Sequence, residues 1–267
     1  SRSSIALRAS ARGLPAGRRL LRLAGVVCPD LYARLLRALI SQLRTRMFWH
    51  LITRLGEVQI LLPAAMVAAL VLAARRDSWP TVTLWLSLLG VAVLLTLASK
   101  LAFMGWGLGL PAFNFSGISG HAMMAAALYP LLLTSLVPTQ SPSARWLVLC
   151  AGILLALLVG VSRVFVGAHS WSEVIAGLSV GGAVTAAMLI GCGLPRGLAR
   201  LSTAATVAVP LSMALWLTMM PTFGPAFSSH SMITQWSLQL SGRSTPYTRG
   251  EMLRQHRQRQ EVQTGPA

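Results

Sequence analysis

The sequence predicts an all-α fold: a polytopic membrane helical bundle of about six transmembrane helices. Three observations lead there. The 267 residues are 54% apolar and only 11% charged, where a soluble domain carries roughly 25% charged residues. The apolar residues gather into six long runs with short connections between most of them. Inside a bilayer each segment must satisfy its own backbone groups, which makes the helix the spanning element.

The elements follow in chain order. Residues 1–55 read as an Arg-rich N-terminal extension, disordered or interfacial, with eleven arginines from Arg2 to Arg54. For residues 1–46, where Asp30 is the only acid, three readings stand open: a short amphipathic surface helix over 31–43, a transit peptide, or an extension ahead of a start at Met47. The membrane domain, 56–220, holds the runs Val58–Ala74, Thr81–Ser99, Ala122–Val137, Trp146–Val161, Val174–Cys192 and Ala204–Met220. Each approaches the ~20 residues that cross the hydrocarbon, the third and fourth being short. Pro63, Pro130 and Pro210 lie inside runs and are expected to kink them. Trp79, Trp106, Trp146 and Trp171 fall near run ends, as an interfacial aromatic belt requires. Residues 221–267 form a polar, basic C-terminal tail outside the membrane, with five arginines from Arg243 to Arg259.

The net charge of +17 is almost entirely arginine and flanks the apolar core. Basic flanks around membrane spans suit anionic lipid headgroups. No basic stripe is interleaved with stacking aromatics, so nucleic acid is not an expected partner. Cys28, Cys150 and Cys192 are too few and too scattered for a disulfide framework or a zinc site.

Chemistry concentrates in two stretches. Ser162-Arg163-Val164-Phe165-Val166-Gly167-Ala168-His169-Ser170-Trp171-Ser172-Glu173 lies between two apolar runs. Glu173 is the only acid between Asp77 and Glu251. A lone carboxylate in so apolar a region is costly without a partner, and His169, four residues earlier, is one helical turn away. Earlier come Lys100, the only lysine, at the end of the second run, and Ser119-Gly120-His121 at the head of the third. Each has an ordinary structural reading: a snorkelling lysine, an N-cap serine with a turn glycine, an arginine favouring a helix C-terminus, and a Ser170-x-x-Glu173 capping box. Their placement is harder to explain that way. All follow the second or the fourth run, and alternating spans put both connections on one membrane face.

Lys100, Ser119-Gly120-His121 and Ser162-Arg163-x5-His169-x3-Glu173 together resemble the three-part signature of the type 2 phosphatidic acid phosphatases. These are integral membrane lipid phosphatases that share a site design with bacterial acid phosphatases and vanadium haloperoxidases. The resemblance spans about 53–192. It departs from the family pattern at three points: Gly107-Leu108 stands where Arg-Pro closes the first motif, Ile118 where proline often precedes the serine, and Glu173 where aspartate is usual.

The resemblance implies a membrane phosphatase acting on a lipid phosphate or diphosphate of the phosphatidic acid, phosphatidylglycerol phosphate or polyprenyl diphosphate class. It makes His169 the nucleophile that forms a phosphohistidine. Phosphoryl transfer needs positive charge on the non-bridging oxygens and an acid for the leaving oxygen. Lys100 and Arg163 supply charge, Ser119 and Gly120 add a phosphate site at a helix start, Ser162 is a further phosphate-binding residue, Glu173 orients His169, and His121 serves as acid and then base. No cofactor or metal is expected. Arg75, Arg76, Arg145, Arg196 and Arg200 on the opposite loops place the site outward by the positive-inside rule, as the family usually does, although the basic tails argue the reverse. The expected location is a bacterial inner membrane. The rival reading is an inactive relative that keeps the fold as a lipid-binding or scaffolding module, favoured by the missing first-motif arginine.

Overall fold

The computed structural model describes residues 34, 45–73, 79–136, 141–194 and 229–263. The chain divides after Phe48, and Trp49–Ala267 is one unit that contains every residue of the candidate site. Its helices are α1 (Val58–Ala73), α2 (Trp79–Trp106), α3 (Gly120–Leu136), α4 (Pro142–Phe165), α5 (Trp171–Cys192), α6 (Ser229–Ser241) and α7 (Arg249–Gln263), with residues 49–54 also helical. No strand occurs among the described residues; Leu110 and Phe115 make one isolated antiparallel pairing.

The first five expected runs are helical over their described residues. Three of them, α2, α4 and α5, are long and apolar enough to cross a membrane. Helices α1 and α3 have 16 and 17 residues and carry Pro63 and Pro130 within them. The sixth run, 204–220, and Pro210 lie outside the described residues. Leu84, Leu94, Leu147, Leu154 and Ile190 are exposed, a surface suited to lipid. Trp79, Trp106, Trp146 and Trp171 are about half exposed near helix ends, where an interfacial ring belongs.

Helix α3 is the centre of the bundle. Residues 122–128 are all buried, against α4 on one side and α5 on the other. Small residues allow this: a Cβ on Gly177 would lie 2.5 Å from the Ser119 carbonyl oxygen, and one on Gly181 would collide with that of Met123. Without a hydrophobic force between helices in lipid, such close backbone approach supplies the packing. Thr185 adds an interhelical hydrogen bond, donating to the Ala126 carbonyl at 2.7 Å.

One boundary differs from expectation. The second run was expected to end at Lys100, but α2 continues to Trp106. Leu101–Trp106 remains apolar and helix-competent, and the break falls at Gly107, whose φ of +70° suits glycine. Lys100 therefore sits inside a helix. The connection to α3 shortens to residues 107–119 and folds as a 3-10 turn, Pro111–Phe113, closed by Asn114 at φ +51°. The C-terminal region is also more structured than a polar tail suggests. Helix α6 packs on α2, with Ser237 and Ser241 against Gly105, and α7 approaches the 3-10 turn.

Candidate active site

The end of α4 builds the first part of the site. After Phe165 the chain turns through Gly167 at φ +72°, and the backbone N–H groups of Ala168 and His169 both donate to the Arg163 carbonyl, at 3.0 and 3.1 Å. This fold-back fixes His169 just above the end of its helix. Ser170 then opens α5 with a complete capping box: its hydroxyl accepts from the Glu173 N–H and the Glu173 side chain accepts from the Ser170 N–H. The capping reading of Ser170-x-x-Glu173 is thus correct, and the same box aims Glu173 at the site.

Glu173 is fully buried. Its Oε1 accepts from the Ser116 N–H (2.7 Å) and hydroxyl (2.5 Å). Its Oε2 is bonded to His169 Nδ1 at 2.7 Å and accepts from Arg249 Nη2 at 2.5 Å and the Ser170 N–H at 3.2 Å. These contacts answer the desolvation of a carboxylate in an apolar bundle. With Nδ1 directed at an ionised carboxylate, the neutral ring carries its proton there and leaves the Nε2 lone pair free. Burial pushes the His169 pKa below the ordinary imidazole value; Lys100 and Arg163 push the same way, against the opposing pull of Glu173.

The second part lies at the start of α3. The Ser119 N–H donates to the Glu173 carbonyl at 3.1 Å, and the Ser119 carbonyl accepts from the Met123 N–H at 3.0 Å. Ser119 therefore occupies the capping position, yet its hydroxyl does not cap. It is fully buried and, among the described residues, has no hydrogen-bond partner. Gly120 faces Lys100, whose Nζ is 3.8 Å from where a Cβ would stand, and the Lys100 stem packs on Gly117. His121 lies within electrostatic reach of Arg163, Lys100 and His169.

Arg163 donates through Nη1 to the buried Thr53 hydroxyl at 2.8 Å, while its Nε has no partner among the described residues. The segment carrying Thr53 is held by Tyr129, whose hydroxyl donates to the Leu55 carbonyl at 2.6 Å, and by Trp49 stacked on Phe165 at 4.4 Å. Ser162 is fully buried and donates its hydroxyl proton to the Val159 carbonyl at 2.6 Å, which leaves it only acceptor capacity. Among the described residues no three His, Cys, Asp or Glu side chains cluster as a metal-ligand set.

The structure thus brings Lys100, Ser119, Gly120, His121, Arg163, His169 and Glu173 to one end of the bundle. It adds Thr53, Ser116 and Arg249, which the sequence reading did not single out. Ser116 and Thr53 carried no signal. Arg249 had one: Thr248-Arg249-Gly250-Glu251 is a capping box, with the Thr248 N–H donating to Glu251 Oε2 at 2.8 Å and the Glu251 N–H to the Thr248 hydroxyl at 3.3 Å. It announced a helix beginning at an arginine.

A helical bundle that brings a histidine–carboxylate pair near a lysine, an arginine and an unpartnered serine has the groups that could hold an anion. The family model of the PAP2 superfamily matches residues 104–192. An uncharacterised 22.5 kDa protein in the cps region of Klebsiella pneumoniae is 42% identical over 144 residues, covering 54% of this chain and 69% of the relative. Phosphatidylglycerophosphatase B of Bacillus subtilis (strain 168) is 41% identical over 71 residues, 26% of this chain and 34% of that protein. No solved structure matches the chain significantly. The chain belongs to the PAP2 superfamily. Lys100, Thr53 and Arg249 fall outside the matched segment.

Proposed function

We propose that the protein is a membrane phosphatase that hydrolyses a lipid phosphate or diphosphate through a phosphohistidine. The observation that carries this reading is His169 Nδ1 on the buried Glu173 carboxylate at 2.7 Å, which leaves Nε2 free beside two cations. Nε2 attacks phosphorus, the bond to the leaving alkoxide breaks, and His121 gives that oxygen a proton. Water then attacks the phosphohistidine while His121 takes back a proton; the P–N bond breaks and inorganic phosphate leaves. Lys100, Arg163 Nε and the Ser119 hydroxyl bind the non-bridging oxygens, and the N–H groups opening α3 add to the anion site. Glu173 stabilises the positive charge that the ring gains when Nε2 bonds to phosphorus, and that is discharged as the P–N bond breaks.

The lipid character of the substrate is supported by the rim. Trp106, Leu108, Leu110, Phe113, Phe165 and Trp171 are all at least half exposed around the site, apolar surface for a substrate whose chains stay in the bilayer. The phosphatidylglycerophosphatase relative makes phosphatidylglycerol phosphate the first substrate to try, with phosphatidic acid and polyprenyl diphosphate beside it. The loop arginines favour a site facing outward. A cysteine at Ala112, in a background without native cysteines, is then labelled by an impermeant thiol reagent in intact cells; labelling only after lysis reverses the orientation.

The central test is phosphate release from that panel by purified wild-type, His169→Ala and Glu173→Gln proteins. Wild type releases phosphate, with an acid limb in kcat/KM below the ordinary imidazole range. A wild type as silent as His169→Ala on every substrate defeats the proposal and leaves the inactive, lipid-binding relative.

A further inference from the structure

Two side chains hold the same oxygen of Glu173. His169 is one; the other is Arg249, which reaches Oε2 at 2.5 Å and the Ser116 hydroxyl at 3.2 Å from 76 positions further along the chain. An exposed ion pair would mean little, but Glu173 is fully buried. The seat of Arg249 is also built. The Tyr247 N–H donates to the Met104 carbonyl at 2.8 Å. The Tyr247 ring covers Gly107, 3.0 Å from where a Cβ would stand, and Met252 is buried against Gly109. Arg243 lies over the Tyr247 ring at 4.4 Å. The Thr248–Glu251 capping box then fixes Arg249 as the first residue of α7. Gly107 is the position at which the resembled motif carries arginine; here Tyr247 occupies that space.

We propose that Arg249 is a positioning residue of the active site, holding the Glu173 carboxylate against His169 and Ser116, and that residues 243–252 are the seat that delivers it. Its catalytic meaning rests on the phosphatase reading above. The charges facing His169 are Glu173 from α5 and Lys100 and Arg163 from α2 and α4, with His121 from α3 alongside. Arg249 acts on the ring through the oxygen they share. While the guanidinium occupies Oε2, the carboxylate's charge is divided between two partners. Without it the full charge falls on the imidazole and favours the protonated ring, which cannot attack phosphorus.

The test is a histidine titration by NMR on the full chain in nanodiscs, which needs no turnover, with His169 assigned by loss of its signal in His169→Ala. Arg249→Gln raises the His169 midpoint by roughly one pH unit, in the range of a lost charge partner. Arg249→Lys recovers part of this, Tyr247→Ala moves it the same way by less, and Arg259→Gln, on the exposed end of α7, leaves it unchanged. On a lipid phosphate the acid limb of kcat/KM moves with the titration, while KM on the plateau stays within about twofold. A folded Arg249→Gln protein with an unmoved His169 titration overturns the proposal. So does a tenfold rise in KM with an unmoved acid limb, which makes Arg249 a substrate ligand instead. If Arg249→Gln does not fold, Arg249→Lys and Tyr247→Ala decide by the same titration. A wild type that releases no phosphate defeats the functional reading alone, because the titration still reports the Arg249 contact.

Discussion

Two helix starts meet at this site, and each is headed by a serine. At α5 every polar group is matched: Ser170 caps the Glu173 N–H, Glu173 returns the bond, and both carboxylate oxygens hold further donors. At α3 the serine sits in the capping position with a buried hydroxyl that bonds nothing among the described residues. Capping by serine is worth about 1 kcal/mol, and an unmatched buried hydroxyl costs a similar amount or more. The α3 start has lost one and carries the other. The buried hydroxyls of Thr134, Ser135, Ser162 and Thr185 find carbonyls, whereas those of Thr96, inside α2, and Ser119 bond nothing among the described residues; of these two, Ser119 stands at a helix start next to Gly120, which faces Lys100, where an outside acceptor fits. The α5 start is the finished half of the site, and under the proposed function the α3 start is the half that the ligand completes.

The largest effect should come from breaking the finished half. His169→Ala abolishes phosphate release from lipid and aryl phosphates alike, since both steps need its Nε2. Glu173→Ala goes further and unsettles the fold, because Arg249, Ser116 and His169 lose their common acceptor. Breaking a buried pair by removing one partner typically costs about 3–5 kcal/mol. A clear fall in Tm for Glu173→Ala, with little change for His169→Ala, is the expected pattern. The reverse order of stability would mean that the carboxylate is not the organising group.

His121 sharpens the contrast, because it belongs to the unfinished half. As the acid for the leaving oxygen it should matter most where the leaving group is poor. His121→Ala is expected to lose about 10²–10⁴-fold on the lipid substrate and to recover part of that on an activated aryl phosphate. It should also accumulate a trappable phosphohistidine, since the water step lacks its base. Recovery and trapping in His169→Ala instead would exchange the two roles.

The legible part of this molecule follows a simple division. Long apolar runs and a lone acid four residues after a histidine impose local constraints, so the helices at the first five runs and the His169–Glu173 contact could be read directly. The end of α2 could not. Leu101–Trp106 is apolar enough for either helix or buried loop, and only packing of Gly105 against α6 and Tyr247 over Gly107 decides it. Thr53 and Ser116 enter the site through contacts 110 and 57 residues apart in sequence, and nothing local distinguishes either. Arg249 lies between these cases. Its capping box was readable, but its partner was not, because a polar basic segment looks solvated until a buried carboxylate is placed beside it.

The smallest expected effects test the comparison most directly, because they should cross. Ser170→Ala removes a cap whose bond to the Glu173 N–H, at 3.4 Å, is already long, so the loss should fall near or below 1 kcal/mol. Glu173 keeps its other donors, and activity on the lipid substrate should stay within about threefold of wild type. Ser119→Ala removes a hydroxyl that stabilises nothing in the free protein. Its Tm should hold or rise slightly, since a buried unmatched group is replaced by a methyl. When substrate is bound, however, a hydrogen bond to a charged oxygen is lost, worth about 1.5–3 kcal/mol, or roughly 10- to 100-fold in kcat/KM. One serine therefore shows in the melting curve and the other in the rate. Measuring Tm and kcat/KM on the same two preparations decides it. If Ser119→Ala melts lower while its kcat/KM is unchanged, its hydroxyl is structural after all, and the α3 start is not the half that the ligand completes.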